Sequence, residues 1–89
     1  MAEIEVRPLN AETFEVVIDE GGSSSTHLVT ATKKHVELLC ADCEPEHIVA
    51  ASVRFLLDRE PKESIMSQFD LDVIATYFPD YAAAIGDYL

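Results

Sequence analysis

The chain has 89 residues, 48% of them hydrophobic, and sets six lysines and arginines against seventeen acids, which gives a formal net charge of −11. So few basic side chains cannot neutralise nucleic-acid phosphates or an anionic membrane surface, so the sequence predicts no nucleic acid and no membrane as partners. The length predicts one domain over 1–89 with a thin core, and the acidity favours solubility or a protein partner with a basic surface.

The N-terminal segment and the two cysteines both bear on location. No run approaches the roughly 20 apolar residues that cross a bilayer. The first residues, MAEIEVRP, carry acids where a signal peptide carries basic residues. We therefore expect a cytoplasmic protein. Cysteines in that compartment are expected to be thiols rather than a disulfide.

The first third of the chain has the two-residue period of half-buried strands. Ile4 and Val6 alternate with charged residues, and Phe14, Val16 and Ile18 do the same. The stretch DEGGSSST is typical of a flexible hairpin loop, and THLVTAT, rich in β-branched residues, predicts a third strand. Short connections favour a three-stranded antiparallel β-meander over 1–32.

The period changes to that of helices over 33–89. Thr32 is a predicted N-cap for a short helix over 33–40, for which a strand KHVELL is the alternative. Pro45 and its flanking glutamates predict the start of the main helix, which runs to Leu57 and is stopped by Pro61. KESIMSQF is predicted as a short helix or turn, Asp70 as the cap of LDVIATYF, and the last ten residues as a fraying helical end. The predicted class is α+β, with the sheet packed on one face by the helical half.

Three phrases in the C-terminal half are shared with a known group of proteins. RFLLDREPKESIM, FDLDVI and YFPDY resemble the RFLL-x-REP-x-ESI, F-x-L-x-VI and YFP-x-Y pattern of a small, uncharacterised bacterial protein family. The resemblance covers 45–81 well and the strand region more loosely. It implies a bacterial cytosolic origin and a shared fold, and it implies no activity, cofactor or partner. The CADC segment lies outside these phrases.

The segment CADCEPEH is the strongest hint of chemistry in the chain. Cys40, Cys43 and His47, with His35 upstream, could supply four zinc ligands, but no second ligand pair exists as zinc sites usually require. A redox C-x-x-C is the other reading. The three acids between residues 42 and 46 argue against it, because negative charge disfavours a thiolate. The predicted role is a helix junction with no cofactor, in which Cys40 is a small buried hydrophobe.

A serine-rich stretch beside a histidine is a candidate for catalysis. Ser23, Ser24 and Ser25 with His27 and Asp19 suggest a hydrolytic triad, but a Gly-Ser loop would not hold a nucleophile rigidly against its base. The sequence therefore predicts no catalytic residue and a protein that is not an enzyme.

The aromatic residues gather near the C-terminus, where five of the seven lie within the last 21 residues. Aromatic side chains dominate both small cores and interaction surfaces. We expect Phe69 and Phe78 inside and Tyr81 and Tyr88 outside.

The predicted function is a small acidic protein-interaction or regulatory module. Tyr81, Tyr88 and Phe55 are its candidate contact residues. A homodimer is predicted from the thin core and from the broad apolar girth of helix 45–59. Two alternatives stay open: a metal- or ligand-binding protein that uses Cys40, Cys43 and His47, and the acidic half of a regulatory pair, such as an antitoxin.

Overall fold

The computed structural model describes residues 2–89 and has a mixed sheet of four strands with helices on one face. The strands are β1 (Glu3–Pro8), β2 (Thr13–Glu20), β3 (Ser23–Thr30) and β4 (Gln68–Asp70), and they lie side by side in that order. The helices are α1 (Lys33–Leu39), α2 (Pro45–Leu57), α3 (Leu71–Tyr77) and α4 (Tyr81–Ala84). Single 3₁₀ turns occupy Lys62–Ser64 and Ile85–Tyr88. The predicted α+β class is confirmed.

The first three strands form the predicted antiparallel meander, but its second hairpin is tighter than expected. Gly21 and Gly22 alone make the turn, with φ of 65° and 81°, the left-handed values that a two-residue hairpin requires. The three serines therefore belong to β3, where Ser23 pairs with Glu20 and Ser25 with Ile18. The prediction of a flexible loop through DEGGSSST is wrong, because two adjacent glycines suffice for the reversal.

The fourth strand corrects the prediction of a three-stranded sheet. Residues 68–70 pair in parallel with residues 28–30 of β3, and the Leu28 amide donates to the Ser67 carbonyl at 2.8 Å. A parallel neighbour needs a long crossover, which α1 and α2 supply. Three residues are too few to show a two-residue period, so the sequence pattern gave no strand signal here.

The helix boundaries follow the capping residues that the sequence predicts. The Thr32 side chain accepts from the His35 amide, and that of Asp70 accepts from the Val73 amide. The short helix over 33–39 and its N-cap are thus confirmed against the alternative strand. Pro45 occupies the first turn of α2, where its missing N–H costs no hydrogen bond.

One hydrophobic cluster fills the space between the sheet and α2. Val16, Ile18, Val29, Ile48 and Phe55 are fully buried in it. The buried face of α2 runs from Ile48 to Leu56, so its wide apolar girth is covered within the chain by the sheet and the C-terminal turns. The apolar surface of this helix is therefore not evidence for a dimer. None of the helices within residues 2–89 is long and apolar enough to cross a membrane.

Candidate functional site

An apolar groove opens where the chain leaves α2 and turns through β4 into α3. It has a volume of about 360 Å³ and is lined chiefly by Ile65, Met66, Phe69, Val73, Tyr77 and Phe78. Its floor is part of the core, whereas Met66 is 43% and Tyr77 67% exposed. Exposed apolar side chains beside a concave surface are typical of an interaction site.

Two chain reversals position this groove. Asp58 ends α2, and Pro61 sets the extended backbone from which the 3₁₀ turn starts. Asp70 then caps α3 directly after β4. The groove lies between the end of α2 and α3, and Met66 and Tyr77 at its mouth stay exposed to solvent.

The charges around the groove are predominantly negative. Glu60 lines it and makes no ion pair with any side chain of residues 2–89. The basic side chains close to it in sequence are occupied: Lys62 is paired with Glu63, and Arg59 donates to Asp80 at 2.6 Å. The Lys62 hydrogen bond holds the pKa of Glu63 below its usual value. An incoming positive charge would thus find Glu60 uncompensated.

An aromatic cluster lies beneath the same end of α2 and corrects the predicted contact residues. The Phe55 ring packs edge-on against Phe78, Tyr81 and Tyr88, with centroid distances of 5.8, 5.2 and 5.8 Å. The Arg59 guanidinium covers its face at 3.7 Å. Phe55 is fully buried and Tyr81 is 2% exposed.

The expectation that Tyr81 lies outside the core is therefore wrong, and Phe55 is not available to a partner. Tyr88 is half-buried, and its hydroxyl donates to Asp58 at 2.6 Å, which raises its pKa. Phe69 is buried as expected, whereas Phe78 is only partly so. The sequence shows that Phe78 and Tyr81 lie three residues apart, as on one face of a helix. Whether that face is buried depends on how α4 packs against α2.

A buried polar pair ties α4 to α2. The Tyr81 hydroxyl lies 2.5 Å from Ser52 Oγ, and Ser52 donates its only proton to the Ile48 carbonyl at 2.7 Å. A carbonyl can only accept, so the tyrosine is the donor in the pair. Burial raises the pKa of Tyr81 to about 12.

Cys40 and Cys43 are joined in a disulfide, which corrects the expectation of free thiols. Their Cα atoms are 5.4 Å apart, within the range that a disulfide spans. The bridge links the end of α1 to the turn before α2. Sequence alone could not decide this, because the same C-x-x-C spacing serves thiols, metals and disulfides.

The other predicted zinc ligands are not gathered around the cysteines. His35 Nε2 lies 2.9 Å from an Asp72 carboxylate oxygen, which ties α1 to α3, while its Nδ1 is buried without a hydrogen-bond partner among residues 2–89. His47 is exposed on the first turn of α2. No group of three or more metal-ligating side chains occurs within the described residues. The paired sulfurs are also not the thiolates that zinc binds.

The suspected triad resolves into a structural contact. His27 is 3% exposed; its Nδ1 lies 2.7 Å from the Met66 carbonyl and its Nε2 2.8 Å from Ser25 Oγ. The carbonyl only accepts, so Nδ1 carries a proton, and in the neutral ring Nε2 accepts from the serine hydroxyl. Asp19 is in register with Ser24, on the opposite face of the sheet from Ser25 and His27. The histidine thus ties β3 to the segment that enters β4.

No protein-family model, curated protein or solved structure matches this chain. The resemblance in the C-terminal phrases therefore stays a prediction. The groove gives those phrases a structural place, because REPKESIM, FDLDVI and the start of YFPDY all border it.

The sequence does not predict the groove residues Met66, Val73 and Tyr77 as a functional set. The sequence offers one signal for this set. Tyr77 is a large apolar residue that lies outside the helical face formed by Leu71, Ile74 and Phe78. Such single exposed residues are common and carry little information without the neighbouring chain.

Proposed function

We propose that this protein is a small acidic, cytoplasmic protein-interaction module that binds a partner segment in its apolar groove. The occupant is a short amphipathic helix or strand that inserts apolar side chains between Met66 and Tyr77 and places a lysine or arginine against Glu60. The observation that carries the proposal is the exposure of those two large apolar side chains at the mouth of one concave surface.

The lining favours a peptide over a small polar metabolite. Methionine adapts its shape to different partners, and tyrosine buries a large area with few rotatable bonds. The volume of about 360 Å³ is small for a drug-sized ligand but fits two or three aliphatic side chains presented by a helix.

The negative charge of this protein favours a positively charged partner segment. The chain carries a net charge of −11, and Glu60 makes no ion pair with any other side chain of residues 2–89. A basic segment is therefore steered to the surface and pairs at the groove, whereas an acidic one is repelled.

The proposal is tested by selecting peptides from a random 16-residue displayed library on the wild-type protein. We expect enriched sequences with apolar residues three and four apart and with lysine or arginine beside them. Backbone amide shifts in a titration with a selected peptide should change most over residues 60–78.

Matched variants distinguish binding in the groove from non-specific hydrophobic binding elsewhere on the surface. Tyr77→Ala should weaken binding of a selected peptide at least tenfold, because tyrosine anchors commonly contribute about 2 kcal/mol or more. Leu38→Ala is the control, since Leu38 is 74% exposed on α1 and does not line the groove. Glu60→Gln should lower the salt dependence of binding. Equal losses for Tyr77→Ala and Leu38→Ala would refute the groove as the binding site.

A further inference from the structure

The Cys40–Cys43 bridge borders a second open pocket, which lies between α1 and the N-terminal end of α2. Cys43 lines this pocket of about 530 Å³ together with Ala31, Val36, Ala41 and Pro45. Cys40 does not line it; it closes α1, where its amide donates to the Val36 carbonyl at 2.8 Å. Both cysteines are partly buried, and Cys43 is the one that lines the pocket, so its sulfur is taken as the point of attack.

The surroundings of the pocket are strongly acidic. Glu12 and Glu37 line it, opposed by Lys33, and Lys34 stands beside them on α1. The loop between the helices and the first turn of α2 add three exposed acids, Asp42, Glu44 and Glu46. A thiol compound that carries negative charge, such as glutathione, is repelled here, and one that carries positive charge is attracted.

We propose that Cys40–Cys43 is a thiol–disulfide exchange site that takes two electrons from dithiol proteins or peptides whose cysteines are flanked by lysine or arginine. This site is separate from the apolar groove and shares with the proposed function only the cytoplasmic location. In a cytosolic protein a disulfide of this kind is transient, which suits exchange rather than permanent bracing.

The exchange proceeds in two balanced steps. A partner thiolate attacks Cys43 Sγ, the Cys40–Cys43 bond breaks, and Cys40 leaves as a thiolate that takes up a proton. The second partner thiol loses its proton and attacks the partner's own sulfur in the mixed disulfide. Cys43 then leaves and is protonated. The partner becomes a disulfide, and two electrons and two protons pass to this chain.

Positive charge on the partner acts at both steps. The acids around the pocket make each departing thiolate less stable and so a poorer leaving group. A lysine brought in beside Cys43 offsets that field while the bond breaks, in addition to steering the encounter. Selectivity for cationic dithiols follows from one electrostatic cause.

The test uses the oxidised full-length protein and two peptides with the same Cys-Gly-Ser-Cys core, one flanked by lysines and one by glutamates. Samples are quenched with iodoacetamide and the new protein thiols are counted by mass spectrometry. Each rate is divided by that of the same peptide with 2-hydroxyethyl disulfide, a neutral reference that removes differences in the reactivity of the peptide thiols.

We expect the lysine peptide to react at least tenfold faster after this correction at low ionic strength, with the ratio falling towards one in about 1 M salt. Replacing these three acids together by Asp42→Asn, Glu44→Gln and Glu46→Gln should abolish most of the preference.

The control variant removes the same number of charges at exposed positions outside the pocket, by Glu3→Gln, Glu5→Gln and Asp87→Asn. A corrected ratio near one in the wild type would overturn the proposal. So would an equal loss of preference in the control variant, or two free thiols after equilibration of the wild type with excess oxidised glutathione.

Discussion

The buried Ser52–Tyr81 pair allows a sharp test, because Tyr81→Phe should have opposite effects on stability in the presence and in the absence of the Ser52 hydroxyl. Both side chains are at most 2% exposed, and the two hydroxyls form a chain that ends on the Ile48 carbonyl. Tyr81→Phe deletes the last donor and leaves Ser52 still bonded to Ile48. We expect it to lower the free energy of unfolding by about 1 kcal/mol, the usual net value of one hydrogen bond.

Ser52→Ala has a different consequence. It leaves the Tyr81 hydroxyl buried without an acceptor, which costs about 1–3 kcal/mol, offset by about 0.5 kcal/mol because alanine is the better helix former. Adding Tyr81→Phe to Ser52→Ala removes the stranded hydroxyl. In that background Tyr81→Phe should therefore stabilise the protein by about 1–2 kcal/mol, whereas it destabilises the wild type.

The assay is urea unfolding followed by circular dichroism for the wild type, both single variants and the double variant at pH 7. The change of sign is independent of the helix propensity of residue 52, because that contribution is common to both Ser52→Ala proteins. A slope m that is equal in the four proteins would show that the variants unfold over the same surface. If Tyr81→Phe destabilises both backgrounds equally, the two hydroxyls are not coupled and the packing of α4 on α2 is misjudged.

Three further predictions concern single residues. The pKa of Tyr81 is raised from about 10 in the unfolded chain to about 12 in the folded protein. Its contribution to the free energy of unfolding is therefore complete below pH 10 and is lost as the pH rises to 12, a loss of about 2–3 kcal/mol. Urea midpoints measured across this pH range should fall less steeply in Tyr81→Phe than in the wild type. Asp70→Ala should cost about 1 kcal/mol by removing the cap of α3, and Asp70→Ser should recover most of it in the same assay. Gly22→Ala should cost about 1–2 kcal/mol, since φ is 81° there, and thermal unfolding should show no such loss for Gly86→Ala, whose φ is not positive.

The local signals in the sequence located most of the elements. Thr32 and Asp70 carry short side chains that bond first-turn amides in their own helices, so each cap depends only on residues three positions away. The same holds for Pro45 and for the adjacent glycines of the hairpin. Interactions over such short separations are readable in a single sequence because little else competes with them.

The candidate sites were less readable, because they depend on segments far apart in the chain. The groove needs the end of α2, the β4 segment and α3 together, because each of them contributes lining residues. The cysteines stood out by their spacing, but neither the bridge between them nor the pocket beside Cys43 has a local signature.

The sequence by itself determined the class, the antiparallel hairpins, the caps and the net acidity. Only the tertiary structure decided that residues 68–70 join the sheet in parallel with β3, that Tyr81 turns inward to Ser52, and that Met66 and Tyr77 stay outside. The physical reason is that periodicity fixes which side chains share a face, whereas the packing of distant elements fixes which of those faces is covered.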